Sequence, residues 1–274
     1  MGYNTSAFQR GPSPILTSVV KLFFALLLLV AIAIGVLWSR SYWPNAVEVA
    51  SVDCSPDAPT WTTGSVLKVM SYNVQYMASK NYVFFYDIDL NDPERVDAVA
   101  NAKKSIASRP SRDHVFWTLN KVAEVIKKED PDVILLQEIS GEDDSRTHYT
   151  DHAAELLDRL PRDLYPCQSE APYWKAEFVF HPEVLGPVNM KLLTLSKYRI
   201  GKSVRHQLPR KARSYLVSPF HFQRALLESH LATDDDQTVA VINTHYDAWG
   251  AGSNIMSRQV AKTQELLQSL DEQD

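Results

Sequence analysis

Pro131-Asp132-Val133-Ile134-Leu135-Leu136-Gln137-Glu138 is the stretch on which the fold turns. Four consecutive aliphatic residues have the composition of a strand buried on both faces, and Pro131 closes off whatever precedes it. The run then breaks directly into an amide and a carboxylate. A carboxylate placed there must reach solvent at the strand end or find a partner, because burying it bare is far too costly. Taken alone, Glu138 reads as the start of the polar loop Ser140-Gly141-Glu142-Asp143-Asp144.

Working outward, the same pattern recurs. Trp117 to Lys128 sets Leu119, Val122, Ala123, Val125 and Ile126 at helical spacing, and Ala153 to Leu160 reads as a second helix. Leu67 to Tyr72 has strand composition and runs into Asn73. Phe178 to Phe180, Leu192 to Leu195, Ala225 to Leu231 and Val239 to Ile242 read as further strands, the last leading into Asn243-Thr244-His245. Ser257 to Leu270 closes as a helix. Strands that come both singly and separated by helices predict a layered α/β sandwich rather than a purely parallel sheet. A lone histidine after a strand is more often structural than catalytic.

Composition narrows the partners. The formal net charge is -5, whereas a protein that binds a nucleic-acid backbone usually carries a basic surplus. Nucleic acid is therefore disfavoured as a partner. Fifteen Pro and six Trp argue against a helical bundle. Cys54 and Cys167 are the only cysteines, and their number leaves a single bridge and two unpaired thiols equally open.

Leu22 to Trp38 is an uninterrupted apolar run, roughly 25 Å long as a helix, and Val19, Val20 and a snorkelling Lys21 extend it. A cleaved signal peptide is the competing explanation. Its apolar region is shorter and ends at small residues, whereas this run leads into Trp38 and Trp43, which suit an interfacial belt. The expected organisation is a tail over 1–18, a single-pass anchor over 19–38, an exposed stem over 39–65 and the α/β domain over 66–274. Arg10 and Lys21 precede the span without acidic company, so the domain is expected on the non-cytoplasmic side of the membrane.

Taken in order, Ser71-Tyr72-Asn73-Val74, Pro131 to Glu138, Leu195-Ser196-Lys197-Tyr198, Gln223-Arg224-Ala225 and Asn243-Thr244-His245 resemble the endonuclease/exonuclease/phosphatase superfamily. Each motif is weak by itself; the ordered set, covering about Val66 to Leu270, is specific. That superfamily includes abasic-site endonucleases, deadenylases, inositol polyphosphate phosphatases and neutral sphingomyelinases, and this set looks nearest to membrane-anchored bacterial members. The resemblance implies a four-layer α/β sandwich, two packed sheets flanked by helices. It implies that Glu138 and Asn73 form the site for Mg²⁺ (or Mn²⁺), with Asn73 orienting the metal ligand or phosphate, and that His245 donates to the scissile phosphate. Water would attack a phosphodiester while the metal offsets phosphoryl charge.

The family pattern continues with a strand ending in Gly-Asp-x-Asn and later a Ser-Asp-His motif. Neither occurs before Asp274, so the domain is expected to be incomplete at its C-terminus. Asn91-Asp92, Asp113-His114 and Asp151-His152 lie elsewhere and read as solvated. Three functions compete: a membrane-anchored phosphodiesterase with phospholipid or lipid-linked substrates as candidates, an inactive fragment or pseudoenzyme, and a nuclease. Lower expectations attach to the basic stretch Lys197, Arg199, Lys202, Arg205, Arg210, Lys211 and Arg213, which could meet anionic headgroups or form a solvated loop. His148 and His152, four apart, have metal-binding spacing but no third ligand in sequence. Trp61, Tyr76, Tyr82, Phe84, Phe85 and Tyr86 make the surroundings of Asn73 aromatic. The insert Asn81 to Arg112 is long for the family core, a place where substrate choice is often set.

Overall fold

The computed structural model describes residues 14–83, 93–102, 105–106, 109–161, 163–211, 214–247 and 254–272. The chain divides into two units after Arg40. The first holds one helix, α1 (Pro14–Ser39), of which Ile15–Ser39 is long and apolar enough to cross a membrane and is not buried by protein. A membrane span and an N-terminal signal sequence both have these properties.

The second unit runs, in chain order, β1 (Val47–Val49), β2 (Ser51–Cys54), β3 (Val69–Asn73), β4 (Tyr82–Val83), α2 (Pro93–Asn101), β5 (Ser105–Ile106), α3 (Arg112–Glu129), β6 (Val133–Ser140) and α4 (His152–Asp158). It continues through β7 (Cys167–Val179), β8 (Gly186–Ser196), β9 (Ile200–Gln207), β10 (Ala225–Ala232), β11 (Thr238–Thr244) and α5 (Ile255–Asp271). One sheet has the order β1-β9-β10-β11, the other β2-β7-β8-β6-β3, and β4 pairs with β5 apart from both. The expected sandwich of two packed sheets flanked by helices is what forms.

Local chemistry explains the helix that covers the larger sheet. Ser111 caps α3 by accepting the His114 N–H, Asp113 sits in its first turn, and Lys127 and Lys128 sit in its last. Asp130 ends it in the left-handed conformation. The face carrying Val115, Leu119, Val122 and Ile126 packs on Ile134 and Leu136 of β6 and Leu193 and Leu195 of β8. Val133, Cys167, Ile200, Leu231 and Val241 form an apolar cluster drawn from strands of both sheets.

Several strands escaped the sequence, β7 and β9 the most consequential. β7 is 13 residues long, of which only Phe178 and Val179 lie in the expected strand. Pro172 hides it, and the register shift between Pro172 and Trp174 absorbs the missing N–H. β9 contains Lys202 and Arg205 of the basic stretch. Arg205 is buried, with Nε donating to the Pro172 carbonyl and Nη2 to Gln223 O, so its charge is internal. Lys197 pairs with Asp130 and Asp132, and Arg199 donates to the carbonyls of Pro56 and Ala58. The run is therefore not a single solvated loop; Arg213 lies outside the described residues.

The stretch 39–65, expected as an exposed stem, supplies an edge strand to each sheet. β1 pairs with β9 and β2 with β7, with only Ala50 between them. Cys54 stands opposite Cys167 in that pairing and the two are joined in a disulfide, which decides the question their count left open.

Candidate active site

β3 and β6 run parallel, with Asn73 beside Gln137, so both strands spend their polar residues at the same end. Glu138 lies in a register shift between Leu136 and Ile139, with φ 63°. That left-handed bulge turns its carboxylate out of the pleat. Backbone strain clusters here. Gln75, Tyr76, Met77 and Ser79, just after Asn73, also have positive φ, a costly arrangement for non-glycine residues that favours a functional explanation. The turn is held by the Gln75 N–H donating to Asn73 Oδ1 at 2.8 Å and by Gln75 Nε2 donating to Tyr82 O.

β11 brings His245 from the other sheet. Asn73 Nδ2 donates to Glu138 Oε1 at 2.9 Å, and His245 Nε2 lies 2.8 Å from the same oxygen. The three side chains read from sequence thus converge on one atom. Beneath them Asn243, fully buried, bridges the sheets. Its Nδ2 donates to the carbonyls of Leu136 and Leu193, and its Oδ1 accepts from Gln137 Nε2 at 2.7 Å.

Burial alone would push the Glu138 carboxyl up. Hydrogen bonds from His245 and Asn73, with the charge of Arg224, more than offset it and hold the group below its ordinary value. Glu138 is therefore an anion, and His245 presents an N–H to it. Both donors fall on Oε1, which leaves Oε2 without a hydrogen-bond partner among the described residues. Among the described residues no three His, Cys, Asp or Glu side chains gather as a metal-binding group. The donor set consequently fits Mg²⁺ only as an ion that retains most of its water and takes one carboxylate, which is common for that cation.

Arg224 was visible in its motif but had no assigned part. It is buried over Phe222 (4.4 Å) and Tyr173 (4.9 Å), and Nε reaches Asp247 Oδ1 at 3.4 Å. Its Nη1 is buried with no hydrogen-bond partner among the described residues, an orphan donor suited to an anion. Tyr173 in turn meets His245 edge-on at 5.6 Å. Gln259 of α5 holds Asp247 by donating Nε2 to Oδ2 and accepting its N–H. Tyr173 sits in the strand that Pro172 concealed, and nothing in the sequence marked Asp247 or Gln259.

Other expected features fall elsewhere. His148 bonds Pro110 O and His152 accepts the Ser140 N–H, so this pair shares no site. His152 is buried, not solvated as expected, and Asp151 caps α4. His114 bonds Ser111 and Tyr82. Tyr76 is buried beneath Arg146, and Trp61 bridges to Thr233. Phe84, Phe85, Tyr86, Asn91 and Asp92 lie outside the described residues.

The model of the Endonuclease/Exonuclease/phosphatase family matches residues 70–226, and the chain belongs to that family. Among solved structures it is similar to an endonuclease/exonuclease/phosphatase from Beutenbergia cavernae DSM 12333, at 18% identity and TM-score 0.43, over 71% of this chain and 42% of that one. It is similar to TDP2 from Caenorhabditis elegans at 14% identity and TM-score 0.41, over 80% and 46% respectively. It is also similar to a mannosyl-6-phosphatase of Bacteroides thetaiotaomicron, at 15% identity and TM-score 0.40, over 75% and 60%. The chain spans less than half the length of the first two. No curated protein matches it.

Proposed function

We propose that this protein is a membrane-anchored, Mg²⁺-dependent phosphodiesterase whose substrates are phospholipids or lipid-linked phosphoesters. The observation that carries the reading is the meeting of Asn73, Glu138 and His245 at one carboxylate oxygen, with the orphan guanidinium N–H of Arg224 nearby. Glu138 would hold the cation through Oε2, with Asn73 fixing the carboxylate. A bound Mg²⁺ supplies charge neutralisation at the phosphoryl oxygens. His245 and Arg224 would donate to those oxygens as negative charge grows on them, the kind of preorganised stabilisation that usually dominates such reactions. Asn243 and Asp247 would act as positioning residues. The disulfide supports an oxidising, non-cytoplasmic location for the domain, in keeping with the charge bias around the apolar helix.

The test is hydrolysis of bis(p-nitrophenyl) phosphate and of phospholipid by the full chain with Mg²⁺ or Mn²⁺, compared with Glu138→Gln. Loss of one metal-binding carboxylate is expected to reduce turnover by about 10²-fold or more while leaving the melting temperature near that of the parent. Equal activity in the two proteins would end this reading. A second reading, phosphoester binding without turnover, is favoured by the lack of a three-ligand acidic or imidazole group among the described residues. It predicts metal-dependent binding of a phosphodiester with no product. A preference for DNA over lipid would instead favour a nuclease, against which the net charge of -5 argues.

A further inference from the structure

The loop joining β9 to β10 has an unusual surface. Arg210 and Lys211 are exposed at its start. Tyr215 and Leu216 follow, 66% and 67% exposed, with Val217 also exposed. Phe180, 57% exposed at the end of β7, lies against Phe220 at 6.1 Å and extends the apolar area. Contiguous exposed apolar residues with a cationic flank mark an interaction surface rather than ordinary solvated protein. Two observations say what covers it. The Tyr215 ring lies 5.0 Å from Trp43, and Trp43 is only four residues past the end of α1 at Ser39. Four residues span at most about 14 Å, so the loop is tethered close to the end of the apolar helix. The same loop then carries Phe222 and Arg224 into the candidate site.

We infer that Tyr215, Leu216 and Val217 seat in the interfacial layer of the bilayer that holds α1, so that the loop bearing Arg224 presents the site to lipid phosphodiesters. This rests on the anchored-hydrolase reading and adds the surface that engages the membrane. Aromatic and aliphatic side chains enter the headgroup boundary, while Arg210 and Lys211 stay among anionic headgroups. A protein partner would need no such tether to the anchor.

The bonded state of Cys54 and Cys167 permits a clean test, since Leu216→Cys then carries the sole thiol for a nitrobenzoxadiazole probe. The full chain is placed in phosphatidylcholine/phosphatidylglycerol vesicles with or without lipid doxyl-labelled near the headgroup. The probe at 216 should shift to the blue and be quenched by the doxyl lipid, and a probe on Lys121→Cys of α3 should do neither. Replacing Tyr215, Leu216 and Val217 together by Ser should lower hydrolysis of vesicle phospholipid by about tenfold or more and leave soluble bis(p-nitrophenyl) phosphate within about twofold. A water-like, unquenched probe at 216 overturns the inference. So does a blue-shifted probe that doxyl lipid leaves unquenched, because a protein surface would then cover the loop. If neither phosphodiester is hydrolysed, the proposed activity fails while quenching still decides the docking.

Discussion

Among single residues, His152 offers the sharpest prediction. It is fully buried, its Nδ1 accepts the Ser140 N–H at 3.1 Å, and its Nε2 has no partner among the described residues. Burial, with the nearby charge of Arg146, holds the imidazole neutral and its pKa down to about 3. The folded pKa lies below the unfolded value, so the unfolded chain binds more protons as pH drops. Stability is therefore intact above about 6.5 and is lost progressively as pH falls from there toward 3. By pH 4 the loss should reach ~3 kcal/mol, at ~1.4 kcal/mol per unit. Denaturant titrations at pH 7 and pH 4 measure it, and His152→Gln should flatten the slope. Asn243→Leu belongs at the same scale. It removes two bonds to sheet carbonyls and one from Gln137, and a cost of about 2–4 kcal/mol is expected from the stranded polar groups. An unchanged melting temperature would contradict the bridging role.

At the scale of elements, the loop after β6 depends on a buried ion pair. Arg146 and Asp144 are both fully buried, with Arg146 Nε donating to Asp144 Oδ1 at 3.0 Å and the guanidinium 4.7 Å from the Trp174 ring. Asp144→Ala leaves a buried cation and should cost about 3–5 kcal/mol, read as a fall in denaturation midpoint. Elements whose residues obey one period, such as α3, β6, β10 and β11, were legible in the sequence. β7 was not, because Pro172 looks like a strand breaker until the bulge beside it is seen. β9 was not, because the burial of Arg205 depends on carbonyls contributed by β7 and by the loop before β10. The candidate site residues at strand ends were marked by an apolar run breaking into a polar group, but only the ordered family motifs gave them parts. Arg224 and Asp247 could not be given parts, since their placement comes from rings and an amide on other elements.

For the whole molecule, two experiments follow from its two units. Retention of the chain in alkaline-washed membranes, with the second unit open to protease only from the non-cytoplasmic face, is expected if α1 stays as the anchor; release of a shortened soluble chain would show a cleaved signal instead. Replacing Cys54 and Cys167 together by Ser should reduce stability by ~2–5 kcal/mol, because the bridge closes a loop with a sequence separation of 113. That bridge has a mechanical corollary. A force pulling on the helix would load β1 and then β2, whose edge pairing can unzip, and the freed thread could lengthen to about 50 Å between Ser39 and Cys54. At Cys54 the covalent link to β7 arrests it, so the lead can pay out slack like a short leash without unravelling the sandwich behind it.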